Sequence, residues 1–111
     1  MDRQERKAAT AAYKERKSAW GVYSVICATT GEAWVGHSRH VDSQQNGLWF
    51  ALKLGTSPYA ALQAAWKVHG EGEFRFEELE RLREDFPAFG RLDEVKKRQA
   101  LWCARLGAAA L

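Results

Sequence analysis

Apolar residues recur along the chain with two different periods, and each change of period marks an element. Residues 2–19 hold neither Gly nor Pro, are rich in Ala, Lys, Arg and Glu, and read as a helix. On a helical wheel Arg3, Lys7, Lys14 and Lys17 share one narrow arc, with Ala8, Ala9, Ala12 and Tyr13 toward the other side. From Gly21 to Ala28 the residues turn β-branched and aromatic, and Tyr23, Val25 and Cys27 alternate with Val22, Ser24 and Ile26. Thr29 to Glu32 is a turn signal and Ala33 to Gly36 a second strand, so residues 21–38 are predicted to form a β-hairpin.

Helical spacing then returns. Asp42 or Ser43 can cap a helix that runs to Leu54 and is closed by Gly55. Ser57 as cap and Pro58 as first helical residue open the next, with Tyr59, Leu62 and Trp66 on its buried stripe and Gly70 at its end. Glu73 to Glu80 alternates like a half-buried strand, and residues 81–90, with Pro87 and Gly90, read as a loop. A last helix begins near Asp93 and turns Leu92, Val95, Gln99, Trp102 and Leu106 inward at 3-4-3-4 spacing. This order predicts an α+β architecture: a small three-stranded, mixed or antiparallel sheet flanked by helices. A basic N-terminal helix over 1–19 would precede a main domain over 20–108.

Composition narrows the class. With 111 residues, 46% hydrophobic and five tryptophans, the chain reads as one small globular domain. No apolar run approaches the ~18 residues of a membrane span, and the N-terminus is charged from Asp2 onward, unlike a secretory leader. A cytoplasmic protein without membrane contact is expected. Cys27 and Cys103 lie far apart and belong to no ligand cluster with His37, His40 or His69, so both read as small core residues and not as zinc ligands. The net charge of +3 is unevenly placed: the first twenty residues carry six basic and three acidic side chains, and the remainder eleven of each. The basic stripe is therefore either a solvated helix face or a phosphate-facing edge.

Four sequence pieces then fall in a familiar order. Gly21-Val22-Tyr23 is followed by Trp34-Val35-Gly36 and His37-Ser38. Leu62-Gln63-Ala64-Ala65-Trp66 with His69-Gly70 comes next, and then Phe74-Arg75-Phe76-Glu77-Glu78-Leu79-Glu80. Over roughly residues 20–106 this resembles the GIY-YIG nuclease family. The resemblance implies a phosphodiester-cleaving endonuclease with Mg2+ or Mn2+, acting on DNA, with RNA as the alternative nucleic acid. It implies tyrosines of both tripeptides beside the scissile phosphate, an arginine early in the next helix, and a glutamate on a later helix as metal ligand.

Carried over residue by residue, the pattern is incomplete. Tyr23 keeps its hydroxyl. Trp34 replaces the second tyrosine, and an indole N–H can donate but not relay a proton. The arginine position is Gln44, and the metal-ligand position, aligned on Trp102, is Gln99, whose amide is a poor ligand for Mg2+. Gln99 also reads simply as a core amide bonded to backbone. Arg39, His37 and His40 are nearby candidates for phosphate contact or proton transfer. Glu94 lies on a different side of the helix from Gln99, and Glu71, Glu73, Glu77, Glu78 and Glu80 read as outward, solvated charges. Besides a small structural domain that binds no nucleic acid, two functions stay open. One is a metal-dependent endonuclease with altered residues. The other is an inactive nucleic-acid- or protein-binding module that would use Arg3, Lys7, Lys14, Lys17 and Arg39.

Overall fold

In the computed structural model, which describes residues 18–111, the chain from Gly21 builds one sheet with helices on both of its faces. Strand β1 (Gly21–Cys27) and strand β2 (Ala33–Ser38) form the predicted hairpin. Helix α1 (Gln44–Leu54) and helix α2 (Ala60–His69) follow, then strand β3 (Phe74–Arg81), helix α3 (Arg91–Leu106) and the two-residue strand β4 (Ala109–Ala110). The sheet order is β3-β1-β2-β4. Strand β1 is antiparallel to both neighbours, whereas β4 lies parallel to β2. No helix among the described residues is long and apolar enough to cross a membrane.

Register decides which residues share a face. Tyr23 pairs with Gly36, Val25 with both Trp34 and Phe76, and Cys27 with Phe74. These residues form one face, which packs on Leu48 and Leu52 of α1 and Leu62 and Trp66 of α2 as the main core. Aromatic pairs knit it together: Tyr23 stacks on Phe76 with centroids 5.0 Å apart, and Trp66 meets Trp49 and Phe74 at 5.3 and 5.2 Å. Val22, Ser24, Val35 and His37 occupy the other face, and α3 covers it. Glu80 of β3 fixes that helix, accepting hydrogen bonds from Arg98 Nη1 at 2.6 Å and Trp102 Nε1 at 2.9 Å.

The hairpin pairs explain two of the tripeptide residues. A Cβ at Gly36 would lie 2.5 Å from the Tyr23 hydroxyl oxygen, so the tyrosine ring needs a glycine opposite it. Gly55 closes α1 in the left-handed region at φ 74°, as its position after Leu54 predicts.

Several boundaries differ from the sequence expectation. The sheet has four strands, not three, because residues 109–110 pair with Trp34 and Val35. Helix α2 begins at Ala60, not Pro58, since the Ser57 hydroxyl accepts the Tyr59 N–H and closes a turn ahead of the helix. Helix α3 starts at Arg91, ahead of Asp93. Leu92 and Leu106 are exposed, so its inward stripe is Val95 and Gln99 with Trp102 half-buried. Cys27 is buried as expected, but Cys103 is half-buried, at the margin of the core. Of the five glutamates read as solvated, Glu71, Glu77 and Glu78 are exposed, Glu71 pairing with Lys53 and Glu78 with Arg81 at the surface, while Glu73 and Glu80 are half-buried, Glu73 accepting the Thr29 hydroxyl and Glu80 engaged as above. Residues 1–17, with Arg3, Lys7, Lys14 and Lys17, lie outside the described residues. Ala19, placed at the end of the predicted N-terminal helix, is extended and bridges His40.

Candidate functional site

The chain leaves β2 through Ser38, Arg39 and His40 and enters α1 at Gln44. Beside this passage lies a groove of about 620 Å3, lined by Trp20, His37, Ser38, Arg39, His40, Ser43, Gln44, Gly47 and Leu92. Its walls take in residues from both faces of the sheet, His37 lying on the α3 side of β2 and Ser38 on the α1 side. Among the described residues that line it there are two imidazoles and one guanidinium, and no carboxylate. The Arg39 guanidinium sits 5.5 Å from the centroid of the Trp20 ring, which holds it at the rim.

The loop is held from within. Ser38 Oγ donates to Gln44 Oε1 at 2.8 Å and accepts the His40 N–H at 2.9 Å. The Val41 N–H donates to the Ala19 carbonyl, and the Ser43 N–H to the His40 carbonyl at 3.0 Å. Gln44 also hydrogen-bonds the Tyr23 hydroxyl. Gly47 interrupts the α1 wall: nothing lies within 4 Å of where its Cβ would be, so the helix backbone is open to the groove.

Tyr23 lies behind this wall and is 1% exposed. Burial, and after it the neighbouring Tyr59, pushes its hydroxyl well above the usual tyrosine range, while the Gln44 hydrogen bond pulls the other way. Such a group stays protonated at neutral pH. It can donate a hydrogen bond, but it is not placed to act as a base.

The remaining predicted site residues separate. Arg39, His40 and Gln44 line one groove, with Tyr23 bonded to Gln44 beneath them. Trp34 is away from it, buried in the core against Phe74 and bordering a smaller cavity of about 170 Å3 with Tyr59 and Leu111. Gln99 lies on the opposite face from Tyr23, within the α3 layer. Its Nε2 donates to the carbonyls of Val35 at 2.8 Å and Leu111 at 3.1 Å, and its Oε1 faces His37 Nδ1 at 2.8 Å. The expected metal position is therefore a core amide whose donors and acceptor are all engaged. Among the described residues no three His, Cys, Asp or Glu side chains are grouped to hold an ion. This donor set does not fit a hard divalent cation, which takes oxygen ligands from carboxylates. Sequence reasoning missed Trp20, Ser43, Gly47 and Leu92 as groove residues; a glycine in mid-helix was the one local sign.

No family model matches the chain, and no curated protein matches it in sequence. Solved structures do. The catalytic domain of the homing endonuclease I-TevI superposes with a TM-score of 0.68 at 19% identity, covering 83% of this chain and 97% of that one. A mutant of the same catalytic domain, described as that of an intron endonuclease, gives 0.67 at 19% identity over 80% and 84%. With the paired tripeptides in register on β1 and β2, the chain has the GIY-YIG nuclease fold.

Proposed function

We propose that this domain is a nucleic-acid-binding module that seats a backbone phosphate in the groove at the end of β2, and that it does not cut DNA by a one-metal route. The observation that carries this is the groove lining: His37, Arg39 and His40 gathered where α1 begins, with no carboxylate among the described lining residues. A guanidinium fork and imidazole donors match phosphate oxygens in charge and geometry, and the structural neighbours are endonuclease catalytic domains, which supports nucleic acid as the ligand class, with DNA the first to test. Cleavage by the family route would need a charge-stabilising group and a metal ligand where Gln44 and Gln99 stand. Losing one transition-state stabiliser typically costs about 10²–10³ in rate. The basic stripe of Arg3, Lys7, Lys14 and Lys17 is proposed to add nonspecific phosphate contacts.

The test is fluorescence anisotropy with a DNA duplex, in EDTA, over a series of salt concentrations. Binding without metal is expected. Arg39→Ala should weaken it and lower the slope of log affinity against log salt by about 0.9, one phosphate contact's worth. Unchanged affinity and slope would remove the groove from the interface.

A further inference from the structure

We propose that the same groove is a site of metal-free RNA cleavage, with His37 as proton acceptor, His40 as proton donor and Arg39 on the phosphate. This rests on the reading of the groove as a phosphate seat and adds a chemical step to it.

The argument starts from Gln99. Carbonyl oxygens only accept, so the two that approach its amide, at 2.8 and 3.1 Å, must face the NH2 end. That leaves Oε1 toward His37, 2.8 Å from Nδ1. An oxygen acceptor at that distance requires a donor, so Nδ1 carries the hydrogen. In the neutral ring Nε2 then holds the free lone pair. The amide orientation thus follows from its three neighbouring atoms and fixes the imidazole tautomer. His37 lines the groove, and Nε2 is the ring atom left to meet a ligand there. Gln99 acts as a positioning residue, in the way a buried partner orients a general base.

His40 stands three residues further on, so its Cα is within about 11 Å of that of His37, and both residues line the groove. Its backbone is fixed on both sides, by the Ser38 hydroxyl at its N–H and by the Ser43 N–H at its carbonyl, while its side chain is exposed. Arg39 lies between the two histidines in sequence, lines the same groove and has its guanidinium over the Trp20 ring. Two imidazoles and a guanidinium lining one groove suit a reaction whose nucleophile comes with the substrate. RNA carries such a nucleophile in its 2′-hydroxyl, and DNA does not.

His37 Nε2 takes the proton of a ribose 2′-hydroxyl, and the 2′-oxygen forms a bond to the adjacent phosphorus. The bond from phosphorus to the 5′-oxygen breaks, and protonated His40 gives its proton to that departing oxygen. Arg39 hydrogen-bonds the non-bridging oxygens as charge builds on them. One end becomes a 2′,3′-cyclic phosphate and the other a 5′-hydroxyl. Solvent exchange returns the proton from His37 and restores His40, so no metal or co-reactant is consumed.

The experiment incubates the full chain, in EDTA, with a mixed-sequence RNA oligonucleotide, its DNA counterpart and its 2′-O-methyl counterpart, and measures binding to each alongside. The expected result is cleavage of the RNA alone, with 2′,3′-cyclic phosphate ends by mass spectrometry. The rate should fall about 100-fold or more in His37→Ala and in His40→Ala, the second being an exposed loop position whose loss leaves the fold intact. Gln99→Leu should lower the rate and also replace the Nδ1–H signature of His37 in 15N spectra with a tautomer mixture, a change that a purely packing role for Gln99 does not produce. Uncut RNA, cleavage of the 2′-O-methyl strand, or a rate untouched by both histidine substitutions overturns the proposal. Uncut RNA, with RNA or DNA bound, overturns this step while leaving the phosphate seat standing; failure to bind either nucleic acid removes both.

Discussion

At Tyr23 and Gln99 the same residue types that suggest chemistry in the sequence are absorbed into the core. The Tyr23 hydroxyl is buried and bonded to Gln44, and its pKa is raised. A group with a raised folded-state pKa contributes stability that is fully present below its unfolded value, about 10 for tyrosine. That contribution is lost as pH climbs toward the folded value. Stability should therefore fall above about pH 10, and Tyr23→Phe should fall less steeply over the same range; chemical denaturation at pH 8 and pH 11 measures the difference. Gln99 gives an opposite lesson to its alignment. A carboxylate there would set a pure acceptor against the carbonyls of Val35 and Leu111 and lose both hydrogen bonds. Gln99→Glu is expected to cost about 2–4 kcal/mol at pH 7 and to bind no Mg2+ by calorimetry. A stable variant that takes up the ion would restore the metal reading of this position.

At the scale of elements, the sequence was legible where local chemistry decides. The β1–β2 hairpin follows from alternation and the Thr29–Glu32 turn, and α1 follows from its apolar spacing and Gly55. The failures are tertiary. Ala109-Ala110 has no strand signature of its own; it pairs with β2 because α3 delivers it there, with the Leu111 N–H donating to the Val35 carbonyl at 2.9 Å. Ser57 looks like a helix cap and instead serves the turn before Ala60. Gly47 is an element-scale anomaly with a use. A glycine in a helix interior costs about 0.5–1 kcal/mol relative to alanine, and there is open space for a Cβ at this position. Gly47→Ala should therefore raise the melting temperature by a few degrees while narrowing the groove, so nucleic-acid affinity should drop as stability rises. Affinity that rises together with stability would mean that the α1 wall does not face the ligand.

Across the whole molecule, the division between the two faces of the sheet explains why the candidate site was only partly legible. Tyr23, Trp34, Gln44 and Gln99 can be lined up on a family pattern along the chain. The pairing of Val25 with Trp34 moves the tryptophan toward Phe74, and the packing of α3 on the far face puts Gln99 behind Val35. Neither event is written in a local period. What the fold does bring together is Trp20, His37 to His40 and the start of α1, from both faces of the sheet, beside a groove free of carboxylates among its described lining. The central claim, a phosphate seat that works without a metal, is most directly tested by titrating 15N-labelled protein with a short oligonucleotide in EDTA. The account predicts shifts concentrated at Trp20, His37, Arg39, His40, Gln44 and Gly47; binding that appears only on adding Mg2+, or shifts that leave these residues still, would contradict it.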